Sequence, residues 1–271
     1  MKNLNDLPGK LCVPNHGRFR LKEASAGHTH GWEESNAVAE SARLSKKLEE
    51  LQFKLYADGS HAVLIVLQAI DGGGKDGTIR HALSSFNPQG CTVHSFKQPS
   101  TEELRHDYLW RVHAHVPPRG EIAIFNRSHY EDVLIARVDQ LVPRATWKER
   151  YRQINEFEHM LTQNRTHIVK IFLHISKAEQ RRRLAERARD PSKQWKFDPK
   201  DLVKRRQWAS YRKAFEDMLN RCTTDHAVWY VVPANHKWFR NLAVAQIVHE
   251  TLKSLALRFP KPRYNPRIRI A

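Results

Sequence analysis

Apolar positions fall into two periods along this chain. Val63-Leu64-Ile65-Val66-Leu67-Gln68-Ala69-Ile70 is a nearly unbroken branched run, the pattern of a strand buried on both faces. Shorter strand-like runs follow at residues 91–96, 121–125, 167–175 and 227–232. Helical periods separate them. Leu44, Leu48, Leu51 and Leu55 predict an amphipathic helix over about 34–56, closed by Asp58-Gly59. Further helices are expected at about 76–85 and from Ser100 or Thr101 through 113, where Glu103 or Glu102 would sit in the first turn. One helix or a short pair reaches about 137. The next carries Trp147, Tyr151, Ile154, Phe157 and Leu161 on one face. The last three fall at 176–189, on the stripe Trp208, Tyr211, Phe215 and Leu219, and at 236 to about 257.

Five strands alternating with helices require right-handed crossovers, hence a parallel sheet covered on both faces, with ligands at the carboxyl ends of the strands. Residues 1–33 lack steady periodicity and read as an extended arm that packs on the body or on a neighbour. The Pro- and Arg-rich tail from Phe259 also reads as extended. With 271 residues the chain has room for one good-sized core plus an arm or insertion.

The charge narrows the partners without choosing among them. Lys and Arg number 46 against 29 acidic residues, a formal +17, which attracts nucleic acid, anionic membrane or phosphate chains alike. Cys12, Cys91 and Cys222 are odd in number and far apart, which argues against a disulfide framework or thiolate metal site. The start Met1-Lys2-Asn3-Leu4 lacks the apolar core of a signal peptide, and no apolar run approaches the ~20 residues of a membrane span. No membrane partner and a cytoplasmic location are expected.

The central strand empties into Asp71-Gly72-Gly73-Gly74-Lys75-Asp76-Gly77-Thr78, followed by a helical pattern. Strand, glycine turn and helix in that order make a phosphate cradle, with successive N–H groups converging on an anion and Lys75 reaching over it. The standard spacing would want glycine at Ala69 and a hydroxyl at Asp76. Either Thr78 or Asp71 therefore takes a metal-facing role, or the cradle is not for a metal–phosphate pair. Asp71 is favoured as the metal ligand, its plain alternative being to stiffen the turn. The third strand delivers Asn126 and Arg127 to the same edge, with Glu131 and Asp132 a turn later. Arg127 can neutralise charge on a phosphoryl group in flight, or merely make a surface ion pair. Core packing is the plainer role for the Trp208 stripe.

The runs Leu67 to Arg80, Asn87-Pro88-Gln89-Gly90, Phe96-Lys97-Gln98-Pro99, Phe125-Asn126-Arg127-Ser128-His129-Tyr130-Glu131-Asp132-Val133-Leu134 and Val232-Pro233-Ala234-Asn235-His236-Lys237-Trp238 together resemble the polyphosphate kinase 2 family over almost the whole chain. Asn126 and the Tyr-Glu-Asp continuation resemble its class acting on both nucleoside monophosphates and diphosphates. The resemblance implies one P-loop kinase domain over 1–271: a three-layer α/β/α arrangement around a five-stranded parallel sheet, with a basic helical lid at about 181–210. It implies a reversible phosphoryl transfer from inorganic polyphosphate to AMP or ADP, other purine nucleotides included, in a homodimer or homotetramer.

Carried onto this chain, Asp71, Lys75 and Arg127 would be catalytic. Gly72, Gly73, Gly74, Lys75, Asp76, Gly77, Thr78, Asn126 and Glu131 would bind phosphate and nucleotide. Lys97, Arg111, Arg182, Arg183, Arg187 and Arg189 would serve polyphosphate and the lid. Asp71 would hold magnesium, with manganese as an alternative. Two departures stand out: Ala69 is more often glycine in the family, and Gly72-Gly73 more often a pair of alanines. If the conformation tolerates alanine, the extra glycines loosen the turn by roughly 0.5–1 kcal/mol each. An ATP-using nucleotide kinase of the same fold is the first rival. A nucleic-acid-binding P-loop protein is the second, disfavoured because no recognition helix or aromatic-interleaved RNA-binding strand is evident.

Overall fold

In chain order the elements are α1 (Leu7–Leu11), α2 (Glu34–Asp58), β1 (Ala62–Ala69), α3 (Lys75–Ala82), β2 (Cys91–Ser95), α4 (Trp110–His113), β3 (Ile122–Asn126), α5 (Glu131–Val138), α6 (Arg144–Gln163), β4 (Thr166–His174), α7 (Lys177–Arg189), α8 (Lys200–Arg206), α9 (Trp208–Arg221), β5 (Trp229–Pro233) and α10 (Lys237–Ser254). The structure, a computed structural model, describes residues 4–15, 17–262 and 264. The expectations for Met1-Lys2-Asn3 and for much of the tail, 263 and 265–271, lie outside the described residues.

The strands form one parallel sheet in the order β2-β3-β1-β4-β5. Every residue of β1 is buried, as its unbroken apolar run requires. Its alternating side chains divide the interior into two cores. Val63, Ile65, Leu67 and Ala69 face α1, α2, α3 and α10, whereas Leu64 and Val66 face α5, α6 and α9. Because β1 lies between β3 and β4, the chain leaves it at the point where strand order reverses. The crevice opens there.

Local chemistry sets several boundaries. Gly59 ends α2 in the left-handed region (φ 64°), its N–H donating to Leu55 O at 3.0 Å. Ser176 caps α7 by accepting from the Glu179 N–H at 3.1 Å. Two expectations need correction. The segment through 113 is not one helix. Ser100 and Glu103 do exchange capping-box bonds, but only a 3-10 turn follows (Glu103–Arg105), and Asp107 then starts a new turn by accepting from the Leu109 and Trp110 N–H groups. The N-terminal arm is not wholly extended either: α1 buries Leu7 and Leu11 in the α10-side core, and the Val13 N–H donates to Trp229 O at 2.8 Å beside β5. Two smaller differences follow: α8 and α9 divide at Gln207, and α10 ends at Ser254 rather than near 257. No helix among the described residues is long and apolar enough to cross a membrane.

Candidate active site

The loop after β1 curls because its glycines permit it. Gly72 and Gly74 take φ of 82° and 98°, and the Gly73 N–H donates to Ile70 O at 2.8 Å. A Cβ at Gly73 would overlap the Ala69 methyl and lie 2.8 Å from Ile70 O. The condition set above, that the conformation tolerate alanine, is not met at Gly72 or Gly73, by dihedral at one position and by contact at the other.

Lys75 opens α3, and its Nζ donates to Ala69 O at 3.3 Å, at the loop rather than in a core. Burial and then the nearby Arg127 lower its pKa, against the pull of Asp71, Glu131 and Asp76. Arg127, just past β3, occupies the left-handed region at φ 63°. This conformation aims its Nη2 at Asp71 Oδ1, 3.0 Å away, joining the ends of β1 and β3. Asp71 Oδ2 lies 3.6 Å from Lys204 of α8. Burial pushes the Asp71 carboxyl up, but Lys75, Arg127 and Lys204 outweigh it and hold the group below the ordinary range.

Asp76 accepts from Asn126 Nδ2 at 2.9 Å and from Lys196 Nζ at 3.0 Å, so the segment after α7 already touches the loop. The Thr78 hydroxyl is buried and donates to Gly74 O at 3.1 Å, one helical turn back. Of the two metal-facing candidates, Asp71 alone remains at the mouth. No group of three His, Cys, Asp or Glu suited to a metal exists among the described residues. Magnesium needs no such cage, since one or two carboxylates plus substrate phosphates complete its oxygen shell. An ionised Asp71 beside the cradle fits that requirement.

Glu131 begins α5 and lines, with Asp71, Arg127 and Lys204, a narrow cavity backed by Leu134, Ile135 and Phe215. Its carboxylate is held from below by Gln68, a buried amide inside β1. With its nitrogen toward Glu131 Oε1 (3.0 Å) and its oxygen toward the Ser128 N–H (3.2 Å), Gln68 satisfies both ends. His129 and Tyr130, which follow Ser128 in the loop, enter a fully buried cluster instead. His129 Nε2 meets Glu158 Oε1 at 3.1 Å, the Tyr130 hydroxyl donates to the same oxygen at 2.7 Å, and Lys170 Nζ donates to Glu158 Oε2 at 2.6 Å and to Tyr130 Oη at 3.0 Å. Burial pushes Glu158 up, yet Lys170 and His129 bring it below its ordinary value. Lys170 and Glu158 thus hold the Arg127–Glu131 loop from behind.

The basic residues expected at the donor and lid separate into two groups. Arg182 pairs with Glu179 and Glu186, Arg187 with Asp201, and Arg189 and Lys97 are exposed. Arg183 and Arg111 instead turn inward, a correction to their placement with the others. Arg183 Nη1 donates to Gly72 O and Gly73 O, both at 3.1 Å, Nη2 reaches Ala234 O, and Nε pairs with Glu179 at 2.7 Å. Arg111 is buried, donating to Lys97 O at 3.0 Å and lying over the Phe96 ring. Each sits on a helix face that packs inward, which sequence clustering alone does not reveal. Sequence reasoning also missed Gln68, Gln180 (donating to Asp71 O at 2.9 Å), Lys204 and Arg240.

The Polyphosphate kinase 2 family pattern matches residues 32–260 of this chain. An AMP/ADP-polyphosphate phosphotransferase of Meiothermus ruber is 51% identical over 255 residues, covering 93% of this chain and 96% of that one. An ADP-polyphosphate phosphotransferase of Rhodopseudomonas palustris is 46% identical over 228 residues, 80% and 79% of the two chains. The crystal structure of polyphosphate kinase 2 from Arthrobacter aurescens TC1 superposes with a TM-score of 0.92 at 39% identity, over 96% of this chain and 93% of that one.

Proposed function

The chain belongs to the polyphosphate kinase 2 family, and from that membership we propose how its residues carry out the reaction. It is a polyphosphate-dependent nucleotide phosphotransferase, with AMP and ADP as acceptors. A terminal phosphate oxygen of the nucleotide attacks the terminal phosphorus of the polymer. The P–O bond to the next phosphate breaks in line, and the polymer leaves one phosphate shorter with the electron pair on its new end. The acceptor oxygen is already anionic at neutral pH, so no protein nucleophile is needed.

In this reading Lys75 and Arg127 carry the charge that spreads over the transferring group. Asp71 and substrate phosphates would hold magnesium, which when bound neutralises phosphate charge. Glu131 orients the acceptor and the Gly74, Lys75 and Asp76 amides cradle the donor. The segment from α7 to α8 covers the site and excludes water, so transfer outruns hydrolysis. The observation that supports this best is the meeting of Asp71 and Arg127 at 3.0 Å beside Lys75, at the carboxyl ends of β1 and β3.

The test is product analysis with magnesium, long-chain polyphosphate and AMP, ADP or GDP, repeated with ATP replacing the polymer. ADP and ATP should appear from AMP with polyphosphate. Protein that phosphorylates AMP from ATP but not from the polymer would be the nucleotide kinase instead.

A further inference from the structure

Behind the phosphate loop, on the side away from its mouth, two buried guanidinium groups lie against the backbone. Arg183 takes the carbonyls of Gly72 and Gly73, and Arg240 of α10 takes that of Gly74, Nη1 to O 3.3 Å. A trans peptide sets its N–H opposite its carbonyl. Carbonyls drawn backward therefore turn the N–H groups of Gly74 and Lys75 toward the mouth, the arrangement an anion needs. The approach is close: a Cβ at Gly74 would overlap the Arg240 guanidinium and lie 3.2 Å from Arg183 Nη1.

The two arginines differ in compensation. Arg183 pairs with Glu179 at 2.7 Å. Arg240 is 2% exposed, and its other partner is the neutral Asn241 amide, with 2.7 Å between Nη2 and Oδ1. None of the ion pairs among the described residues involves it. Burial and the neighbouring Arg183 lower its pKa to about 10, with no carboxylate acting on it. A buried charge without a counter-charge is costly unless something else neutralises it. The loop in front binds a polyanion in the functional reading above, and this step rests on that reading.

We propose that Arg240 is a positioning residue for the polyphosphate donor, a fixed positive charge behind the phosphate loop whose counter-charge is the bound polymer. It touches no substrate atom. It acts through the Gly74 carbonyl and through its field, and it favours donor over acceptor because the donor fills the loop.

Two variants separate charge from shape. Arg240→Gln keeps a hydrogen-bond donor for Gly74 O and removes the charge, whereas Arg240→Lys keeps the charge and removes the planar fork. Arg240→Gln should raise KM for polyphosphate by about tenfold, the order expected of a unit charge near a desolvated anion, and move KM for AMP by less than about twofold. Arg240→Lys should stay near wild type in both. Without ligand, Arg240→Gln should melt at or above wild type, and tripolyphosphate should raise its melting temperature less than it raises that of wild type. Unchanged donor KM in Arg240→Gln, equal losses in both variants, or an apo Arg240→Gln protein less stable than wild type would each overturn the proposal. Wild-type protein unable to bind the polymer would remove the functional reading itself, and this step with it.

Discussion

The methyl group of Ala69 occupies the space that a side chain on Gly73 would need, so the last residue of β1 and the middle of the phosphate loop exclude each other's bulk. Gly73→Ala alone should destabilise the chain by about 1–3 kcal/mol through overpacking. Adding Ala69→Gly should recover part of this but not all, because Ile70 O remains 2.8 Å from the new Cβ. A double-mutant cycle by urea unfolding measures the coupling. Additive losses would mean that the two positions do not share one space.

Lys75 sits at the loop with its ammonium already partly desolvated, and its nearest hydrogen-bond partner is one backbone carbonyl. Lys75→Ala should lower kcat by on the order of 10²–10³, as loss of one transition-state donor does, or more. Stability should change little, since the ammonium makes one long hydrogen bond to Ala69 O and Asp71 keeps its pairs with Arg127 and Lys204. Initial rates with polyphosphate and AMP, together with a melting curve, check both halves. Near-wild-type turnover would exclude the role.

The parallel sheet, the cradle and the convergence of Asp71, Lys75, Arg127 and Glu131 were legible because each follows from local pattern: a doubly buried strand, a glycine turn, a second strand end. What was not legible depends on which way a helix faces. Arg182 and Arg183 are neighbours in a basic run, yet one is exposed and the other is buried against the loop carbonyls. Arg240 and Gln180 reach the loop from helices far away in sequence. Lys170 did leave a signal, as a lysine in the middle of a strand buried on both faces must have a partner. Its identity, Glu158 on α6, required the packing of α6 against β4. The break between residues 100 and 113 was missed because a capping box promises a helix start but not its length.

That Lys170–Glu158 pair is fully buried, so its halves should be unequal to the whole. Lys170→Met should cost about 3–5 kcal/mol by leaving the Glu158 carboxylate buried and uncompensated. Lys170→Met combined with Glu158→Gln should be less destabilised than the single variant, while kcat falls because His129 and Tyr130 no longer hold the Arg127 loop. Urea unfolding and steady-state rates on both proteins decide this. A double variant as unstable as Lys170→Met alone would show that packing, not charge, dominates.

The +17 excess should appear in the donor's salt response. Each phosphate neutralised by a lysine or arginine releases counterions, so log KM for polyphosphate should climb with log salt in proportion to the contacts made. KM for AMP, with a single phosphate, should climb less. Equal slopes would argue against an extended basic track.

Acid should loosen the support behind the loop through Glu179. Its carboxyl is pulled from 4.5 to about 2, first by the Arg182 hydrogen bonds, against burial, and then by Arg183. The folded value is the lower one, so the ionised pair contributes stability that is complete above pH 4.5 and is lost as pH falls through about 2. Asp71 and Glu158, also lowered, act with the same sign, and Asp132 and Asp201 with the opposite one because burial raises both, so a raw acid profile mixes many groups. Comparing wild type with Glu179→Gln isolates the pair. The stability gap between the two proteins, from urea unfolding at stepped pH, should be constant near neutrality and should close between pH 4.5 and 2. A gap that persists at pH 2 would mean that Glu179 holds Arg183 by shape and hydrogen bonding rather than by charge.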